Sequence, residues 1–73
     1  MSVHVWVALE TGVGISVHTT KQHAMDTHAR RFQLRMRAGL CRWRPTGDSG
    51  WALEDDDVGR VVAVYPAPLE GPA

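Results

Sequence analysis

The sequence predicts an α+β fold: an antiparallel sheet in ββαβββ order with a single helix packed on one face. Three observations carry it. Residues 3–9 and 15–17 alternate in hydropathy with a period of two, residues 25–36 place apolar side chains at helical spacing, and short apolar runs then follow between turn clusters. With 73 residues, 44% of them hydrophobic and 22% charged, the chain has the composition of a folded protein and room for one small domain. That domain is expected over residues 1–66, followed by a flexible tail over 67–73 containing Pro68, Gly71 and Pro72.

In the first strand Val3, Val5, Val7 and Leu9 alternate with His4, Trp6, Ala8 and Glu10. After Thr11-Gly12-Val13-Gly14, Ile15 and Val17 alternate with Ser16 and His18, which reads as a hairpin. Directly opposed residues share a face, so pairing Val7 with Val17 demands an odd-numbered loop. A three-residue loop at Thr11 to Val13 places Trp6 opposite His18 and Ala8 opposite Ser16. The aliphatic set is expected to pack under the helix, which leaves His4, Trp6 and His18 on the outer face.

Thr19 followed three residues later by Gln22 has the capping-box spacing and predicts a helix start. Met25, Ala29, Phe32 and Met36 then form one stripe with His28 at its edge, and Gly39 offers a left-handed cap that ends the helix near Ala38. Cys41 and Trp43 alternate with Arg42 and Arg44 in a third strand. Trp51-Ala52-Leu53-Glu54 forms a fourth, and Arg60 to Tyr65 a fifth whose apolar character on both faces marks an interior strand or one covered by a partner.

A single cysteine excludes an internal disulfide, and neither a run of 18 apolar residues nor a cleavable signal segment is present, so a soluble, cytoplasmic chain is expected. A domain this small gains little net stability from its core, so self-association or docking on a partner is the expected support. Charge is unevenly placed. Residues 21–44 carry seven cations against Asp26, a net +6, whereas residues 45–73 carry six carboxylates against Arg60, a net −5.

Several clusters admit a chemical reading. Arg30, Arg31, Arg35 and Arg37 with Arg42, Trp43 and Arg44 could bind phosphates and stack a base, which makes nucleic acid the alternative partner. The bland reading is a solvated helix paired with the chain's own carboxylates. Asp55, Asp56 and Asp57 read first as a solvated turn and secondly as a docking point for a basic surface. His18, His23 and His28 recur at intervals of five, but residues five apart on one helix point about 140° away from each other, so no metal site is expected. Cys41 reads as a small packed hydrophobe rather than a nucleophile. No catalytic motif, cofactor or small-molecule substrate emerges.

The opening Val-His-Val-Trp-Val, the glycine turn, and Gly14-Ile15-Ser16-Val17-His18-Thr19-Thr20 running into a helix resemble small uncharacterised hairpin-helix-sheet proteins of GC-rich bacteria and their phages. Seven arginines to one lysine and the absence of asparagine fit such a genome. The resemblance implies an accessory or inhibitor protein that binds a larger partner. Together these readings predict a non-enzymatic interaction protein or homodimer using His4, Trp6, His18, Asp55, Asp56 and Asp57.

Overall fold

The computed structural model describes residues 4–47 and 49–68. They form β1 (His4–Glu10), β2 (Gly14–His18), α1 (Lys21–Ala29), a 3-10 turn (Arg30–Phe32), α2 (Gln33–Arg37), β3 (Cys41–Pro45), β4 (Trp51–Asp55) and β5 (Gly59–Pro68). All five strands join one antiparallel sheet in the order β2-β1-β5-β4-β3. The last strand in sequence is thus the central one in space, which is why its residues are apolar on both faces. Its two neighbours come from opposite ends of the chain.

The hairpin register is the one that parity requires: Trp6 pairs with His18, Val7 with Val17 and Ala8 with Ser16. Gly12 and Gly14 supply the positive φ values that the three-residue loop needs. The helix is capped one residue later than the sequence spacing suggests. Thr20, in extended conformation, accepts from the His23 N–H, while Gln22 turns instead to Asp26. The expected continuous helix is interrupted by the 3-10 turn before it ends in a Schellman motif: Leu40 N–H donates to Arg35 C=O and Gly39 N–H to Met36 C=O, with Gly39 at φ 76°.

Strand β5 continues through Pro66 to Pro68, beyond the expected domain end at residue 66. Trp6 pairs with Pro66 and His4 with Pro68, whereas β4 ends at Trp51 opposite Val64. The two prolines, two residues apart, direct their nitrogens to the same side, away from β1, where no strand needs a donor. Residues 69–73 of the expected tail lie outside the described residues.

The larger correction concerns which face the helices cover. Buried Ala8, Ala24, Cys41, Leu53, Val62 and Val64 form the core, with Trp6, Met25, Phe32, Met36 and Trp43 packed against it. Register extends that assignment across the sheet: Trp6, Ala8 and Glu10 share this face with Ser16 and His18, and also with Val62 and Val64. Val5, Val7, Leu9, Ile15 and Val17 therefore lie on the open face, the reverse of the expectation from the hairpin alone.

The reason is global. Opposite orientation would carry Arg42, Arg44 and Glu54 under the helix with the valines, since these occupy the same side as Ala52 and Ala63. Burying three charged side chains beneath one helix costs far more than exposing five aliphatic ones. Ala8 and Ala24, both 0% exposed, then allow the helix to approach the sheet closely.

Candidate functional site: a hydrogen-bonded chain under the helix

Glu10, on that inner face, and His28, on the helix that covers it, are polar and at most 6% exposed. They satisfy each other. The Nδ1 of His28 lies 2.6 Å from Glu10 Oε1, and the Arg31 Nε lies 3.3 Å from Oε2. On the far side of the same imidazole, Nε2 is 2.6 Å from the Ser16 hydroxyl, which is also 2.7 Å from His18 Nε2. His18 Nδ1 in turn meets His23 Nδ1 at 3.0 Å. Five side chains from β1, β2 and α1 thus form one continuous chain from a buried carboxylate to an exposed imidazole.

The direction of its hydrogen bonds follows from the buried end. A carboxylate only accepts, so His28 donates through Nδ1–H, and in the neutral ring Nε2 then accepts the Ser16 hydroxyl proton. Ser16 Oγ must accept from His18 Nε2–H, and His18 Nδ1 from His23 Nδ1–H. One tautomer at each ring is selected by its neighbour, an assignment made from the network itself.

Position on two elements explains why the histidines meet. His18 ends β2, and only His23 and His28 belong to α1, so the divergence of residues five apart on a helix does not separate all three. The His18 ring stands edge-on to His23 with centroids 4.8 Å apart and to His28 at 6.2 Å. Partial burial and the neighbouring His23 and His28 lower the His18 pKa below its ordinary value. Among the described residues, no group of three or more His, Cys, Asp or Glu is placed to hold a metal.

A pH dependence follows from that shift. Because the folded pKa of His18 is depressed, the unfolded chain binds more protons as pH falls below about 6.5. The His18 contribution to stability is therefore complete above that value and declines as pH drops towards the folded pKa. Thermal melts should show a lower Tm at pH 5 than at pH 7.5, and His18→Gln should flatten part of that slope; an identical slope in the variant would assign the effect elsewhere.

The acidic turn is not a freely solvated one. Asp55 is 5% exposed and receives Arg35 through two bonds, Nε to Oδ2 at 2.5 Å and Nη2 to Oδ1 at 3.0 Å. It also accepts from the backbone N–H groups of Asp57 and Val58, at 2.9 and 3.4 Å. The Arg35 bonds, then the Asp57 N–H, hold the Asp55 carboxyl below its usual range, and the same pairing raises Arg35. Asp57 shares Arg35 at 2.7 Å, and Asp56 faces Arg42 at 3.4 Å. The β4–β5 turn is thereby tied to α2 through Arg35 and to β3 through Arg42.

Much of the basic girdle is internally paired: Arg31 with Glu10, Arg35 with Asp55 and Asp57, Arg42 with Asp56, and Arg44 with Glu54. Among the described residues, no carboxylate lies within ion-pair distance of Arg30 or Arg37. Trp43 packs inward against the core instead of standing out between Arg42 and Arg44. Trp6 is likewise half-buried on the helix side, and His4 lies at the exposed end of the same strand face. Cys41, 3% exposed, packs as expected, and burial followed by the nearby Asp55 pushes its thiol pKa up.

Sequence reasoning missed Glu10 and Ser16. The signal was present in the register, since opposing Ala8 to Ser16 and Trp6 to His18 puts a carboxylate, a hydroxyl and an imidazole on one face. Only the choice of face revealed that His28 closes them into a chain.

The second feature is the open face itself. Val5, Val7 and Leu9 lie between Ile15 and Val17 on one side and Ala63, Tyr65 and Ala67 on the other. Ile15 is 67% exposed, Val17 62% and Leu9 42%. A cavity of about 280 Å³ opens at the end of β4, lined by Thr46, Trp51, Arg60, Ala63, Val64 and Tyr65. Among the described residues, no helix is long and apolar enough to cross a membrane. Comparison with protein-family models, curated proteins and solved structures finds no match for this chain.

Proposed function

We propose that this chain is a small interaction protein that self-associates through the open face of its sheet. The observation that carries the reading is the aliphatic surface of β2, β1 and β5, which no element among the described residues covers. At strand spacings of about 4.8 Å and a rise of about 3.3 Å per residue, the seven residues of β1, the five of β2 and the seven of β5 that pair with β1 span roughly 300 Å² in plan. Protruding side chains enlarge that area. It matches the largest patches on monomers, which are often functional, but falls short of the roughly 800 Å² per partner of a standard interface. A weak, concentration-dependent dimer is the expected outcome.

A second copy suits the surface better than an unrelated partner. The patch is flat and aliphatic, so a copy presents an equally apolar complement in an isologous contact. With the two-fold axis running along β1, β2-β1-β5 lies on its counterpart, and the strands bearing Arg42, Arg44 and Glu54 fall on opposite flanks. Like charges are not opposed. The internal pairing of Arg31, Arg35, Arg42 and Arg44 also favours protein contact over nucleic acid.

Val17→Asp tests the reading with little risk to the fold, because the side chain is already 62% exposed. Sedimentation equilibrium should show the parent dimerising at micromolar to tens of micromolar concentration and the variant remaining monomeric with a similar Tm. A parent that stays monomeric at millimolar concentration overturns the proposal.

A further inference from the structure

The chain beneath the helix contains a second chemistry on the opposite side of the sheet from the self-association surface. Ser16, His28 and Glu10 stand in the order nucleophile, base and orienting carboxylate, with Oγ to Nε2 and Nδ1 to Oε1 both at 2.6 Å. Hydrogen-bonded triads of this kind are recognised by geometry and roles, not by sequence position. Glu10 is 3% exposed and bonds the imidazole on the side away from Ser16, which selects the tautomer whose Nε2 lone pair faces the hydroxyl. Arg31 sits beside the carboxylate and balances its charge.

We propose that Ser16 is an acyl-accepting nucleophile, activated by His28 as general base with Glu10 as the positioning residue, and that its substrates are small carboxylic esters. Ser16 lies on β2, an edge strand, and is only half-buried, so an ester can approach it from solvent along the free edge. Unpaired backbone N–H groups on that edge are the donors available to the developing oxyanion. His18, donating through Nε2–H to one lone pair of Oγ, leaves another for attack and holds the hydroxyl proton on the His28 side.

The step balances within the chain. Ser16 Oγ forms a bond to the carbonyl carbon as its proton passes to His28 Nε2. Collapse breaks the carbon–oxygen bond to the leaving group, which departs as the alcohol with that proton. Water, deprotonated by the same imidazole, then releases the carboxylic acid and restores the serine. Because the site is shallow, a stoichiometric acyl adduct is expected to form faster than it turns over.

The test uses a small fluorophosphonate, whose fluoride leaves as Oγ bonds to phosphorus and which gives a stable adduct. The folded parent should incorporate one label per chain, mapped by peptide fragmentation to Ser16, at least about 100-fold faster than background, the lower range of general-base catalysis. Ser16→Ala and urea-denatured parent should not be labelled at that position. His28→Gln should lose the rate enhancement, and Val17→Asp should keep it, so this proposal and the self-association reading fail separately. Mapping on the parent alone decides the matter should Ser16→Ala misfold. No label on folded parent, or labelling confined to other residues, overturns the inference.

Discussion

Glu10→Ala should destabilise the protein by about 1 to 3 kcal/mol, the usual cost of leaving a buried hydrogen-bond donor without its acceptor. Glu10 accepts from His28 at 2.6 Å and neighbours Arg31 at 3.3 Å, and both carboxylate and imidazole are nearly inaccessible to water. Alanine would leave His28 Nδ1–H without an acceptor beneath the helix, and the directional chain through Ser16 to His23 would lose the end that orients it. At about 0.05 to 0.15 kcal/mol per residue, a domain of this length has only about 4 to 11 kcal/mol in total. Much of the folded population is therefore at stake. Arg31→Ala, by contrast, should cost less than about 1 kcal/mol because that guanidinium is 62% exposed. Urea titrations of parent and both variants provide the comparison. A loss below about 1 kcal/mol for Glu10→Ala would mean that water reaches His28 and that the chain has no structural role.

Replacing Asp55, Asp56 and Asp57 together with lysine should abolish cooperative folding. The turn looks exchangeable by composition, yet Asp55 is the buried acceptor of four bonds, two from Arg35 and two from the backbone of its own turn. A lysine there would set a cation against Arg35 and leave two turn N–H groups unpaired. Single variants should divide the effect sharply. Asp56→Lys, with a side chain 52% exposed and a 3.4 Å partner, should change stability by no more than about 0.5 kcal/mol. Asp55→Lys should reproduce most of the loss of the triple variant. Far-UV circular dichroism through thermal melts would distinguish them, and a triple variant that melts close to the parent would show that α2 is not held by this turn.

That contrast bears on what can be read without coordinates. Three adjacent aspartates are chemically identical in the sequence, and nothing local marks the first as buried. Asp55 differs because it ends β4 on the helix-facing side, opposite Cys41, within reach of Arg35 twenty residues earlier in the chain. Long-range pairing of this kind has no periodicity to betray it. The same holds for His18, His23 and His28, whose spacing argued against convergence until β2 and α1 were seen to meet.

The sequence by itself determined the ββαβββ order, the hairpin loop and its register, the left-handed cap at Gly39 and the apolar character of β5 on both faces. Each rests on short-range physics: alternation along a strand, a stripe along a helix, a glycine where φ is positive, or apolar residues on both faces. The tertiary structure decided which sheet face the helix covers, because that choice depends on the summed cost of burying all five strands' side chains at once. Alternation in β1 distinguishes its two faces but cannot say that Arg42, Arg44 and Glu54 lie on the same side as its valines. Once the register joins β1 to β5 and β5 to β4, the charged residues force the aliphatic face outward and bring Glu10, Ser16 and His28 together beneath the helix.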